Sequence, residues 1–73
     1  MNRLSKRQFD VLYKIYEIPG IELEELSRTL FLDENEVQGI CDELQTIRYI
    51  EQRTITENGK ACLDNYKIDN AII

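Results

Sequence analysis

At 73 residues the chain has room for one small domain, because a chain of this size buries only about 60% of the surface it exposes when unfolded. Its 42% hydrophobic and 32% charged residues exclude a disordered chain and a membrane span, and Met1 to Ser5 leads into no apolar signal core, so a cytoplasmic protein is expected. Histidine is absent and the two cysteines are Cys41 and Cys62, which excludes a His/Cys zinc site, a histidine-dependent triad and a multi-disulfide scaffold.

Ser5-Lys6-Arg7-Gln8 fits a capping box and starts a first helix, with Leu4 and Phe9 placed as a hydrophobic staple. Phe9, Leu12, Tyr13 and Tyr16 then recur at helical spacing as its apolar stripe. Pro19 and Gly20 end the helix, and Ile18 to Ile21 reads as an extended connector or a very short strand. A second helix covers Glu22 to Leu30, with acids in its first turn and Leu23, Leu26 and Leu30 inward. Only Phe31 and Leu32 separate it from a third helix, which Asp33 caps through its side chain and which carries Val37, Ile40, Cys41, Leu44 and Ile47 on one face.

After Ile47, Tyr49 to Gln52 and Arg53 to Thr56 alternate apolar and polar residues with no long loop between them, predicting a tight hairpin. Thr56 caps a fourth helix from Glu57 to about Tyr66, in which Ala61, Cys62, Leu63 and Tyr66 close the core. Lys67 to Asn70 reads as a connector leading to the β-prone triplet Ala71-Ile72-Ile73. The expected fold class is therefore mainly α with a small β-hairpin: a three-helix core, a short hairpin and a C-terminal helix.

This element order, with Phe9 to Leu12, Ile21 to Leu32 and the phrase Ile55-Thr56-Glu57-Asn58-Gly59-Lys60, resembles the winged helix-turn-helix domain of multiple-antibiotic-resistance-type bacterial regulators. The stretch Tyr66 to Ile73 resembles the junction in bacterial choline-phosphate cytidylyltransferases and sugar-phosphate nucleotidyltransferases, where a winged-helix module runs into the first strand of the catalytic domain. The resemblance implies a winged-helix domain over residues 1–66, a linker and strand stub over 67–73, and an N-terminal piece of a longer nucleotidyltransferase-like enzyme. On its own the chain is expected to be non-catalytic and to hold no cofactor.

Charge bears on partner choice. Residues 1–16 hold Arg3, Lys6, Arg7 and Lys14 against Asp10 alone, residues 17–47 hold nine acids against Arg28, and the remainder balances within a net charge of −5. With its apolar stripe inward, the third helix presents Glu34, Asn35, Gln38, Gly39, Asp42, Glu43 and Gln45, so its exposed charge is entirely negative. Duplex DNA carries one charge per roughly 1.7 Å, and binders commonly make about 6–10 phosphate contacts. The charge therefore disfavours double-stranded DNA and favours a protein surface or a downstream domain of the same polypeptide; a homodimer is compatible with either.

The candidate contacts on the third helix are Asn35, Gln38 and Gly39, with Gln45 also able to reach a base. Lys6, Arg7 and Arg53 are the candidate contacts to phosphate or to an acidic partner. Gly39 in mid-helix costs about 1 kcal/mol against alanine, which close approach of a partner or drift at an exposed site would explain. The alternative function is a free-standing bacterial transcription regulator that binds duplex DNA through these same residues. Cys41 and Cys62 read as core residues, and the four tyrosines as core-edge residues rather than a stacking platform.

Overall fold

The computed structural model describes residues 4–71, with side chains described for residues 4–65. Helix α1 spans Lys6–Glu17, α2 Leu23–Leu30, α3 Glu34–Thr46 and α4 Glu57–Ala71; strands β1, Ile50–Glu51, and β2, Thr54–Ile55, form an antiparallel hairpin between α3 and α4. The architecture is mainly helical with a small hairpin, as the sequence predicts.

Helix α1 begins with the expected reciprocal cap: the Gln8 amide donates to Ser5 Oγ at 3.2 Å, and the Ser5 amide to Gln8 Oε1 at 2.9 Å. Leu4 is buried just ahead of it. The buried arc of α1 differs from the predicted stripe. Val11, Leu12 and Ile15 are fully buried, whereas Phe9 and Tyr13 are half-buried and Tyr16 is 38% exposed. Because α1 packs against α2, α3, α4 and β2, its core-facing arc is broad and centred one position from the aromatic row. The aromatics form a tilted stack along the edge, with ring centroids 5.9 Å apart for Phe9 and Tyr13 and 6.3 Å for Tyr13 and Tyr16.

No strand forms between α1 and α2. The Ile21 amide turns back on the Ile18 carbonyl at 3.1 Å, and the Gly20 amide donates to the Arg53 carbonyl at 2.8 Å, so one hydrogen bond replaces a strand pairing. Gly20 has φ of 76°, which glycine adopts without steric cost.

The α2–α3 turn is left-handed at Phe31, with φ 58° and ψ 41°. For a residue with a Cβ this conformation costs roughly 1 kcal/mol or more, and Ser27 holds it in place. The Phe31 and Leu32 amides both donate to the Ser27 carbonyl, and Ser27 Oγ donates to the Leu32 carbonyl. The geometry returns Leu32 to the edge of the core and turns Phe31 outward. Asp33 occupies the cap position of α3 with extended backbone but makes no side-chain cap bond, so that expected cap is corrected.

Val37, Ile40, Cys41 and Leu44 bury α3 against the other helices, with Ile47 half-buried behind them. The hairpin pairs Ile50 with Ile55 and Glu51 with Thr54. Its two-residue turn, Gln52-Arg53, has φ of 49° and 59°, the positive values that suit the twist of a tight hairpin. Thr56 joins three elements: its amide donates to the Tyr49 carbonyl at 3.0 Å, its hydroxyl donates to the Arg48 carbonyl at 2.6 Å, and that hydroxyl accepts the Gly59 amide at 3.2 Å.

Gly59 is buried where α4 crosses the chain leaving α3. A Cβ there would sit on the Tyr49 carbonyl and 2.9 Å from Ile55 Cγ1. Leu63 completes the core from α4 with Cys62 half-buried beside it, while Ala61, expected inward, is exposed. Helix α4 also continues to Ala71, through the stretch expected to be a connector, because no glycine or proline interrupts it. Of the predicted strand stub, Ala71 is helical and Ile72 and Ile73 lie outside the described residues, as does the Tyr66 side chain.

Candidate functional site

The buried stripe of α3 fixes what the helix shows to solvent. Glu34, Asn35, Gln38, Gly39, Asp42, Glu43 and Gln45 are all exposed, the set expected from the helical period. Asn35, Gln38 and Gly39 thus share one open face, and a Cβ at Gly39 would meet nothing within 4 Å. No packing inside the domain calls for glycine there. Gln38 Nε2 donates to Asp42 Oδ1 at 2.9 Å, which ties one of the amide candidates to a neighbouring carboxylate. Gln45 Oε1 faces the Gln52 amide at 3.4 Å, at the far end of the helix.

The cationic candidates are placed differently from that face. Lys6 pairs with Asp10 at 3.3 Å on its own helix, and Arg7 reaches across to Glu36 on α3. Beside that pair, Gln8 Nε2 donates to Glu43 Oε1 at 3.0 Å, so α1 and α3 are also joined at the surface. Arg53 is half-buried rather than extended from the hairpin tip, and its Nε is buried without a hydrogen-bond partner. Its charge is felt by Cys41 on the core side of α3. The structure therefore brings Asn35, Gln38 and Gly39 together, sets Lys6 and Arg7 against carboxylates, and leaves Arg53 half-buried at the hairpin turn.

Burial pushes the Cys41 thiol above its ordinary value; Arg53 pulls it down and Asp42 pushes it up, both less strongly. A buried thiol held in its neutral form is a core group rather than a nucleophile. Burial likewise raises the Tyr49 phenol, with the charge of Cys62 and a hydrogen bond to it adding in the same direction. Among the described residues no group of three or more His, Cys, Asp or Glu could hold a metal ion, and no helix is long and apolar enough to cross a membrane. An open polar groove runs between the end of α3, the hairpin and the start of α4, with Arg48, Glu51 and Glu57 among the residues that line it.

Sequence reasoning noticed Phe31 as half of the two-residue link between the second and third helices. In the structure it is 94% exposed, the most exposed large apolar side chain described. The available signal was an aromatic directly after a helix C-terminus, where left-handed backbone points a side chain away from the turn. No family model, curated protein or solved structure matches the chain.

Proposed function

We propose that the chain is a winged helix-turn-helix module that works by docking on a protein surface and carries no chemistry of its own. In this reading α2 and α3 correspond to the helix-turn-helix, the hairpin to the wing, and the docked surface belongs to a neighbouring domain of a nucleotidyltransferase-like polypeptide or to a separate protein. The observation that carries it is the exposed face of α3. Glu34, Asp42 and Glu43 stand there with no lysine or arginine anywhere from Glu34 to Thr46. A helix reading the major groove would have to place those carboxylates among phosphates.

The test is a fluorescence-anisotropy titration with mixed-sequence duplex at low salt. The reading expects no submicromolar, salt-sensitive binding. Submicromolar affinity that falls with salt at a log–log slope of about −5, the signature of roughly six phosphate contacts, would overturn it and favour a duplex-binding regulator. In that outcome Arg53→Ala would weaken binding and reduce the slope.

A further inference from the structure

We infer that Phe31 is the anchor of a protein-docking surface at the α2–α3 turn, and that its partner is a basic protein face containing an apolar socket. The inference rests on the protein-docking reading above and names the chemistry of the partner. Phe31 is 94% exposed, so its ring contributes almost no burial to the domain that carries it. Its backbone is nevertheless held left-handed by two amides on the Ser27 carbonyl and by the Ser27 hydroxyl on the Leu32 carbonyl. Glycine or asparagine would suit that conformation better, and neither would present a ring to solvent. An outward aromatic on a rigid turn loses little conformational freedom when it enters a pocket, which is the behaviour of an interface anchor.

The surrounding charge selects the occupant. From Glu22 to Glu34 the chain carries five carboxylates, all exposed, against one cation, Arg28, which is already engaged by Glu24 at 3.0 Å and Glu25 at 3.6 Å. Nucleic acid and anionic membranes share the sign of this surface. A second copy would bring the same carboxylates face to face. A protein face rimmed by lysine and arginine complements it, the charges steering encounter and the ring supplying the desolvated contact.

The test pans a phage-displayed random-peptide library on the full chain and measures synthetic versions of the enriched peptides by fluorescence anisotropy. The expected peptides are rich in lysine or arginine and carry a large apolar residue. Phe31→Gly and Phe31→Asn, which suit the left-handed turn and keep the helical circular dichroism, should weaken them at least about tenfold. Asp33→Asn with Glu34→Gln should slow association and flatten its salt dependence. Enrichment of peptides without basic character, equal binding by Phe31→Gly, or no enrichment overturns the inference. So does self-association that Phe31→Gly abolishes in sedimentation. Loss of the peptide result with duplex binding still absent sinks only this inference, whereas tight duplex binding sinks the docking reading beneath it.

Discussion

Replacing Gly59 with alanine tests how α4 is seated. The added Cβ would overlap the Tyr49 carbonyl oxygen and lie 2.9 Å from Ile55 Cγ1 and 3.0 Å from the Tyr49 carbonyl carbon. Carbon atoms in contact prefer about 3.5–4.0 Å, so α4 and the Tyr49 backbone must separate by something near 1 Å. That movement stretches the Thr56 amide bond to the Tyr49 carbonyl and the Gly59 amide bond to Thr56 Oγ1, each contributing about 1 kcal/mol, and loosens Leu63 in the core. Alanine's better helix propensity returns at most about 1 kcal/mol. The net expectation is a loss of about 2–4 kcal/mol from a domain whose whole stability is roughly 4–11 kcal/mol by its length. Urea denaturation followed by far-ultraviolet circular dichroism should show the midpoint falling sharply, and the melting temperature should drop by about 8 °C or more, at about 4–8 °C per kcal/mol. A Gly59→Ala protein as stable as the parent would refute the placement of α4 against Tyr49.

Gly39→Ala is the matched control: with nothing within 4 Å of the new methyl, it should stabilise the domain by about 0.5–1 kcal/mol in the same assay, and a loss would mean the α3 face is covered. Thr56→Ala removes a hydroxyl that both caps α4 and donates to Arg48, so it should cost about 2 kcal/mol, while Thr56→Ser, which keeps the hydroxyl, should cost about half of that or less. The Cys41 thiol is raised in the folded state, so the folded protein holds that proton more tightly than the unfolded chain. Its contribution is fully present below the ordinary value of 9.0 and is lost as pH rises through the higher folded value. Urea midpoints measured from about pH 8 upward should therefore decline, and Cys41→Ala, though less stable throughout, should decline less steeply; parallel slopes would remove Cys41 as the cause.

What the sequence revealed divides by the range of the interactions involved. The Ser5–Gln8 box, the α3 stripe and the Thr56 cap are set by residues three or four apart, and each is found where the pattern places it. Several of the misplaced features depend on contacts between distant segments, although the Asp33 cap, a local pattern, also fails to form. The buried arc of α1 is centred away from its aromatic row because several elements press on it, a fact no single-helix period contains. Gly59 must be glycine because of a carbonyl ten residues earlier that folding brings on top of it. The connector expected over Lys67 to Asn70 was read from the segment itself, ahead of a β-prone triplet, whereas a stretch free of glycine and proline from Lys60 to Ile73 lets α4 continue to Ala71. On the candidate face, the exposure of Asn35, Gln38 and Gly39 follows from the α3 period, but the inward fold of Arg53 follows from a turn with two positive φ angles that its sequence, Gln52-Arg53, does not announce.

The ion pairs around α1 add to the charge argument through their field more than their strength. Arg7 and Glu36 remain 63% and 36% exposed, and pairs so placed contribute about 0–1 kcal/mol, so a polyanion could part them at little cost. Parting them, however, leaves the carboxylate in place. Glu36 and Asp10 would then face the phosphates that Arg7 and Lys6 had turned to meet, well within the screening length of about 8 Å at physiological salt. Among the described side chains, the exposed cations outside any ion pair are Arg48 and Lys60, and Arg48 lies in a groove it shares with Glu51 and Glu57. Two such charges among the described side chains fall short of the roughly 6–10 phosphate contacts a duplex binder commonly makes, whereas under the proposed docking function the same carboxylates would complement a lysine-rich protein face.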